Sequence, residues 1–134
     1  MVTSIYKRHK INKKRIRGAM ATQKYIVTIA GINTQNNTEK SVANLWEEAA
    51  EKEYDNSSIY VSALIVPGTF VCGEVRGCTL GDSVYTIICL RKSIDVPNKE
   101  DYWNAFRRIM LSIREKLDKP NMTITIQDAE YYFF

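Results

Sequence analysis

The segment GEVRGCTLGD, residues 73–82, carries four charged or reactive side chains close together: Glu74, Arg76, Cys78 and Asp82. In such a loop an arginine can bind an anionic group, and carboxylates can accept hydrogen bonds. Its glycines allow the backbone to approach a ligand closely. The segment is either a binding loop or an ordinary solvated turn. No general base can be identified for Cys78, so we do not interpret it as a nucleophile.

A second group of basic residues is split between two predicted elements. LRK, residues 90–92, ends a predicted strand, and Arg107 and Arg108 lie on a predicted helix. Together they can form a patch that binds a phosphate, although charged residues are also common at strand ends and on solvated helix faces. The sequence therefore predicts no catalytic residue and a set of ligand-binding residues: Glu74, Arg76, Asp82, Arg91, Arg107 and Arg108.

Several kinds of chemistry are excluded by missing residues. The single histidine is His9, in the basic N-terminal segment. The rest of the chain therefore offers no histidine as a catalytic base or metal ligand. The spacing of the three cysteines matches no zinc site, and there is neither a P-loop nor a dinucleotide-binding glycine motif. We expect no metal and no cofactor.

Hydrophobic periodicity predicts the order β-α-β-(β)-β-α-β. Strands are predicted at 24–32, 58–68, 83–94 and 122–134, with a short additional strand at 69–75. Helices are predicted at 38–54 and from Asn98 to about 117, each with one apolar stripe. This order predicts an α+β fold of the ferredoxin-like, split βαβ type, with two helices on one face of an antiparallel sheet.

The positive charge of the chain is concentrated at its start. Of 19 basic residues, seven lie at positions 7–17, so the other 12 are outnumbered by the 15 acidic residues. We interpret residues 1–22 as a basic flexible tail, with Met20 as an alternative start, and residues 23–134 as a single domain. No secretory signal or membrane-length apolar run is visible, which predicts a cytoplasmic protein without membrane contact.

The predicted sheet has apolar side chains on both faces. In the first strand Tyr25, Val27 and Ile29 alternate with Ile26, Thr28 and Ala30, and the other strands repeat the pattern. Two helices can cover only one face, and an exposed apolar sheet face usually marks an interface. We therefore expect a homo-oligomer that forms through the open face, most simply a two-fold dimer.

Three functions fit these observations. The favoured one is a non-enzymatic oligomeric module that holds a small anionic ligand or a protein partner at subunit junctions. The first alternative is a cofactor-independent enzyme of the isomerase or oxygenase type, in which Glu74, Asp82 or a tyrosine does the acid–base work. The second is nucleic-acid binding through the basic tail, which the acidic remainder of the chain does not favour.

Overall fold

A four-stranded antiparallel sheet with the strand order β2-β3-β1-β4 forms the centre of the protein. The computed structural model describes residues 17–76 and 81–134. The strands are β1 (Gly18–Ala30), β2 (Leu64–Phe70), β3 (Asp82–Leu90) and β4 (Asn121–Phe133). With one helix between β1 and β2 and another between β3 and β4, this arrangement confirms the predicted ferredoxin-like α+β fold.

Two capped helices connect the strands. Helix α1 spans Glu39–Ser57 and follows Thr38, whose side chain accepts a hydrogen bond from the Ser41 amide. Helix α2 spans Lys99–Lys116 and follows Asn98, whose side-chain oxygen accepts hydrogen bonds from the amides of Glu100 and Asp101. Both caps satisfy amides that lack a partner within the helix.

The core lies between the two helices and one face of the sheet. From β1, the side chains of Tyr25, Val27 and Ile29 are almost fully buried, and their partners in β3 are Cys89, Ile87 and Tyr85. The helices contribute the remaining large buried residues: Val42, Trp46, Tyr102, Phe106, Ile109 and Ile113. The predicted apolar stripes of both helices are therefore the faces that pack on the sheet.

Strand β1 begins earlier than the sequence indicates, at Gly18. Residues 18–22 pair with residues 129–133 of β4. The register is continuous along the whole strand, from Gly18↔Phe133 to Ala30↔Asn121. These residues become a strand because the long C-terminal strand supplies backbone partners for them. The remainder of the predicted tail, residues 1–16, lies outside the described residues.

The connection between β2 and β3 also differs from the expectation. No strand covers the end of the predicted segment 69–75; β2 ends at Phe70, and a 3₁₀ turn spans Glu74–Arg76. Gly73 has a φ of +85°, which extended backbone does not allow. Residues 77–80, which include Cys78, lie outside the described residues.

The sheet face opposite the helices is largely apolar where β2, β3 and β1 lie side by side, and it is exposed along the edge strand β2. Register places Leu64 of β2 next to Ile88 of β3, which is next to Ile26 of β1. On the edge strand, Leu64 is 61% exposed and Phe70 is 51% exposed. Within the described ranges, no helix has the length and apolar character required to cross a membrane.

Candidate ligand-binding cavity

A cavity of about 340 Å³ opens between the first turn of α2 and the edge strand β4. It is lined by Tyr25, Lys99, Glu100, Trp103 and Ile126. Small-molecule sites commonly measure about 300–1,000 Å³ and combine an apolar wall with a few polar groups. This cavity, which we call the Trp103 cavity, has that size and composition.

The wall of the Trp103 cavity is a fixed aromatic cluster. The half-buried indole of Trp103 stacks on Tyr25, with ring centroids 6.3 Å apart and planes inclined by 22°. It also contacts Phe106, at a centroid distance of 5.8 Å. Tyr25 and Phe106 are buried in the core, while Ile126, the β4 partner of Tyr25, is 50% exposed. The cavity therefore has a rigid, flat, apolar surface that is accessible to a ligand.

The charged groups at the cavity balance one another. Lys99 and Glu100 are both exposed and supply one positive and one negative charge. The amides of Glu100 and Asp101 already donate to the Asn98 side chain, at 2.9 and 3.0 Å. The helix start consequently has few free donors for a phosphate, and it carries two carboxylates in its first turn. The local charge does not favour an anionic ligand.

The phenols near the cavity are not suited to acid–base work near neutral pH. Burial raises the pKa of Tyr25, and the nearby Arg91 guanidinium offsets part of that rise. Burial also raises the pKa of Tyr102, whose hydroxyl finds no hydrogen-bond partner among the described residues. Both phenols therefore stay protonated. The described residues also contain no cluster of metal-ligating side chains.

Other concavities in the described part of the chain match a ligand less well. One of about 370 Å³ lies between α1 and β2 and has no aromatic lining residue; Glu39, Lys40, Ala43, Ala63, Leu64 and Ile65 line it. Three more measure about 270, 200 and 210 Å³, below the usual range for a ligand site. The Trp103 cavity combines sufficient volume with an aromatic wall.

The residues that the sequence predicted as ligand contacts are distributed over separate regions. Glu74 and Arg76 lie in the exposed 3₁₀ turn, and Asp82 is the exposed first residue of β3. Arg91 directly follows the other end of β3, about 30 Å away at the usual rise per residue. The structure thus brings Glu74, Arg76 and Asp82 to one end of the β2–β3 hairpin and places Arg91 at the opposite end.

Arg91 is bound internally. It is only 6% exposed, and its Nε and Nη2 donate to Gln23 Oε1 at 2.9 and 2.7 Å. Its Nη1 donates to the carbonyl oxygens of Val96 and Pro97, at 2.9 and 3.3 Å. These bonds tie β1 to the loop that leads into α2.

Arg107 and Arg108 are neighbours on the exposed side of α2. Arg108 forms a two-bond ion pair with Glu53 of α1, with Nε–Oε1 and Nη2–Oε2 distances of 2.8 Å. Glu53 is 4% exposed, and this pairing lowers its pKa below the usual value of 4.5. Arg108 therefore compensates a buried carboxylate and links the two helices.

Trp103 is not among the ligand contacts that the sequence predicted. The signal available in the sequence was its position at the edge of the apolar stripe of α2, five positions after the capping residue Asn98. Ile126, which also lines the cavity, follows 23 positions later, and its pairing with Tyr25 places it there.

Comparison with known proteins relates the chain to one enzyme family. The family model of SAM lyases matches residues 20–134. The backbone is similar to that of a phage SAM lyase in complex with S-methyl-5′-thioadenosine, with a TM-score of 0.51, 13% identity, and coverage of 84% of this chain and 88% of that one. A phage SAM lyase in the apo state gives a TM-score of 0.51, 13% identity, and coverage of 84% and 89%.

A PII-like protein, CPII from Thiomonas intermedia K12 bound to ADP, AMP and acetate, gives a TM-score of 0.43 at 11% identity and covers 84% of this chain and 90% of its own. No curated protein matches the sequence. The prediction of a non-enzymatic binding module is wrong, because the matching family consists of enzymes. A lyase is also neither of the alternative enzyme types, isomerase or oxygenase. The sequence motifs did not indicate this family, because they mark acid–base and metal chemistry.

Proposed function

The chain belongs to the SAM lyase family, and we propose that it cleaves S-adenosylmethionine to S-methyl-5′-thioadenosine. The observation that carries the proposal is the match to the family over residues 20–134, which includes nearly all of β1 and every later element. The similarity of the backbone to a phage SAM lyase that holds S-methyl-5′-thioadenosine supports it.

The proposed reaction balances without a co-reactant. Release of S-methyl-5′-thioadenosine breaks the bond between the sulfonium sulfur and Cγ of the methionyl group. An oxygen of the substrate's own carboxylate attacks Cγ and closes a five-membered lactone, while the electron pair of the S–Cγ bond stays on sulfur. The substrate carries a net charge of about +1 near pH 7, and so do the products together. In the products this charge lies on the ammonium group of the lactone. No proton is transferred.

This chemistry is consistent with a chain whose one histidine is His9. An intramolecular attack depends on holding the substrate in a folded conformation, and such positioning can supply about 7–11 kcal/mol. The attack also joins a negative and a positive group into neutral ones, so an apolar cavity that excludes water favours it over solution. The cavity walls of Tyr25, Trp103 and Ile126 can hold part of the substrate in such a conformation.

The exposed sheet face supports assembly of several copies. Leu64, Val66 and Phe70 on the edge strand are each at least 40% exposed, on a strand whose outer edge is unpaired among the described residues. We expect a homo-oligomer that buries this face. Light scattering should give a multiple of the 15.4 kDa chain mass, and Leu64→Glu should lower it. A monomeric wild-type protein contradicts this part of the proposal.

The hairpin-end residues Glu74, Arg76 and Asp82 remain proposed ligand contacts. Glu74 and Arg76 follow the exposed apolar residue Phe70 along the chain, and Asp82 pairs with Phe70 across the hairpin. Tyr25 of the Trp103 cavity pairs with Cys89 at the far end of β3, so Arg76 can contact a substrate in that cavity only from a neighbouring copy of the chain. If it does so, Arg76→Ala should raise KM for S-adenosylmethionine. An unchanged KM removes Arg76 from the site.

Product analysis tests the proposed function. The purified full-length protein is incubated with S-adenosylmethionine, and the products are identified by mass spectrometry. We expect S-methyl-5′-thioadenosine and homoserine lactone in equal amounts, with an unchanged rate in deuterated water because no proton moves. Recovery of intact substrate, or of S-adenosylhomocysteine, contradicts the proposal.

A further inference from the structure

We propose that the Trp103 cavity binds the adenine ring of the substrate and of its thioadenosine product, with the ring stacked on the exposed side of Trp103. This inference rests on the proposed function, because it takes the adenosyl group as the ligand.

Shape is the first argument. One side of the indole is packed against the cluster of Tyr25 and Phe106, at centroid distances of 6.3 and 5.8 Å, so its orientation is fixed before a ligand arrives. The indole also lines the cavity of about 340 Å³, together with the half-exposed Ile126. A flat ring can enter between an indole and an aliphatic side chain. Stacking of a nucleobase on an aromatic residue typically contributes about 1–3 kcal/mol.

Charge is the second argument, and it discriminates between adenine-containing ligands. Lys99 and Glu100 cancel each other, and the Asn98 side chain occupies the amides of Glu100 and Asp101. Asp128 lies farther along β4, where its carboxylate accepts a bond from Gln23 Nε2 at 3.4 Å. Among the lining residues, a phosphate would therefore meet one carboxylate and one ammonium group, with no net positive charge to attract it. The cavity therefore suits an uncharged nucleoside or the cationic substrate, and it disfavours AMP and ATP.

The two tryptophans allow a matched fluorescence experiment. Trp103 is half-buried at the cavity, whereas Trp46 is 4% exposed in the core and donates its indole N–H to Val61 O at 3.0 Å. Titration with S-methyl-5′-thioadenosine should change the emission of the wild type and of Trp46→Phe. The change should be lost in Trp103→Phe, because the reporting indole is gone.

Affinity is measured separately by calorimetry, with S-methyl-5′-thioadenosine and AMP as probes. Trp103→Leu should weaken the binding of S-methyl-5′-thioadenosine by about 5- to 150-fold, the equivalent of the stacking energy. Ile126→Asp places a charge on an exposed position, so folding should be retained while the affinity falls at least tenfold. AMP should bind the wild type at least tenfold more weakly than the uncharged nucleoside.

The outcomes separate this inference from the proposed function. If both variants bind S-methyl-5′-thioadenosine within twofold of the wild type while the protein cleaves S-adenosylmethionine, the cavity assignment is overturned and the function stands. If the protein does not cleave the substrate but binds the nucleoside in a manner that depends on Ile126, the function fails and the cavity stands. If Trp103→Leu does not fold, Ile126→Asp decides.

Discussion

Replacement of Arg91 by alanine tests whether this residue stabilises the fold or binds a ligand. The buried guanidinium makes two bonds to Gln23 Oε1 and two to the carbonyls of Val96 and Pro97. In Arg91→Ala these three acceptors lose their partner in a region that water reaches poorly. We therefore expect a loss of stability, and no direct effect on ligand contacts.

The size of the effect follows from these bonds. A hydrogen bond from a charged donor contributes about 1.5–3 kcal/mol. The four bonds share one side chain and are not additive, and removal of a buried charge recovers part of its desolvation cost. A net loss of about 3 kcal/mol results, which is a large fraction of the roughly 5–15 kcal/mol typical of a domain. With a urea dependence of about 2 kcal/mol per molar, the unfolding midpoint should fall by about 1.5 M.

Urea titration followed by circular dichroism measures this shift. Arg107→Ala is the control, since Arg107 is exposed on α2 and its removal should change stability by no more than about 0.5 kcal/mol. Arg91→Lys should be intermediate, because an ammonium group cannot reproduce the guanidinium fork. Equal midpoints for Arg91→Ala and Arg107→Ala, together with a loss of ligand affinity in Arg91→Ala, would refute the structural role and favour the ligand role.

Three further perturbations have defined outcomes. The lowered pKa of Glu53 means that its ion pair stabilises the protein above about pH 4.5, and that this stability is lost as the pH falls through the folded-state pKa. Arg108→Ala should lower the free energy of unfolding by about 1–2 kcal/mol at pH 7 in urea titrations, and a pH dependence of stability equal to that of the wild type contradicts the pairing. Gly81→Ala should destabilise the protein more than Gly31→Ala, because both have positive φ but only Gly81 would bring its Cβ within 3.2 Å of a backbone oxygen; equal thermal shifts contradict this. Burial raises the pKa of Cys89 to about 12, so peptide mapping after iodoacetamide treatment at pH 8 should find it unlabelled until the protein is denatured, and rapid native labelling contradicts its burial.

Local signals were sufficient to predict the architecture. Each helix carries one apolar stripe and follows a capping residue, and Asn98, where the second helix is predicted to begin, caps α2. The apolar runs that become β1, β3 and β4 are long and bounded by turn residues. The element order β-α-β-β-α-β is typical of the split βαβ type, so it indicates the ferredoxin-like arrangement.

Features that depend on distant pairing could not be read from the sequence. Residues 18–22 have little strand propensity and are extended because residues 129–133 pair with them. Arg91 looks like a surface residue at a strand end, yet its guanidinium donates two hydrogen bonds to the side chain of Gln23, 68 positions earlier. Glu53 and Arg108 are 55 positions apart. In each case burial is determined by tertiary contacts, on which local periodicity is silent.

Function left even less trace in the sequence, for a chemical reason. Motifs mark proton transfer, metals and phosphates, whereas the proposed reaction uses the substrate's own carboxylate and needs none of these. The groups required from the protein are apolar walls that hold a folded substrate, such as Trp103 and Ile126, and in a sequence these look like ordinary core residues.

The most direct test of the proposed intramolecular cleavage is to run the reaction in water enriched in ¹⁸O and to measure the mass of the lactone at early times. Both oxygens of the lactone come from the substrate carboxylate if that carboxylate attacks Cγ, so we predict homoserine lactone without ¹⁸O beside an equal amount of S-methyl-5′-thioadenosine. Homoserine that carries ¹⁸O on its hydroxyl group as the first product would show attack by water and would contradict the account.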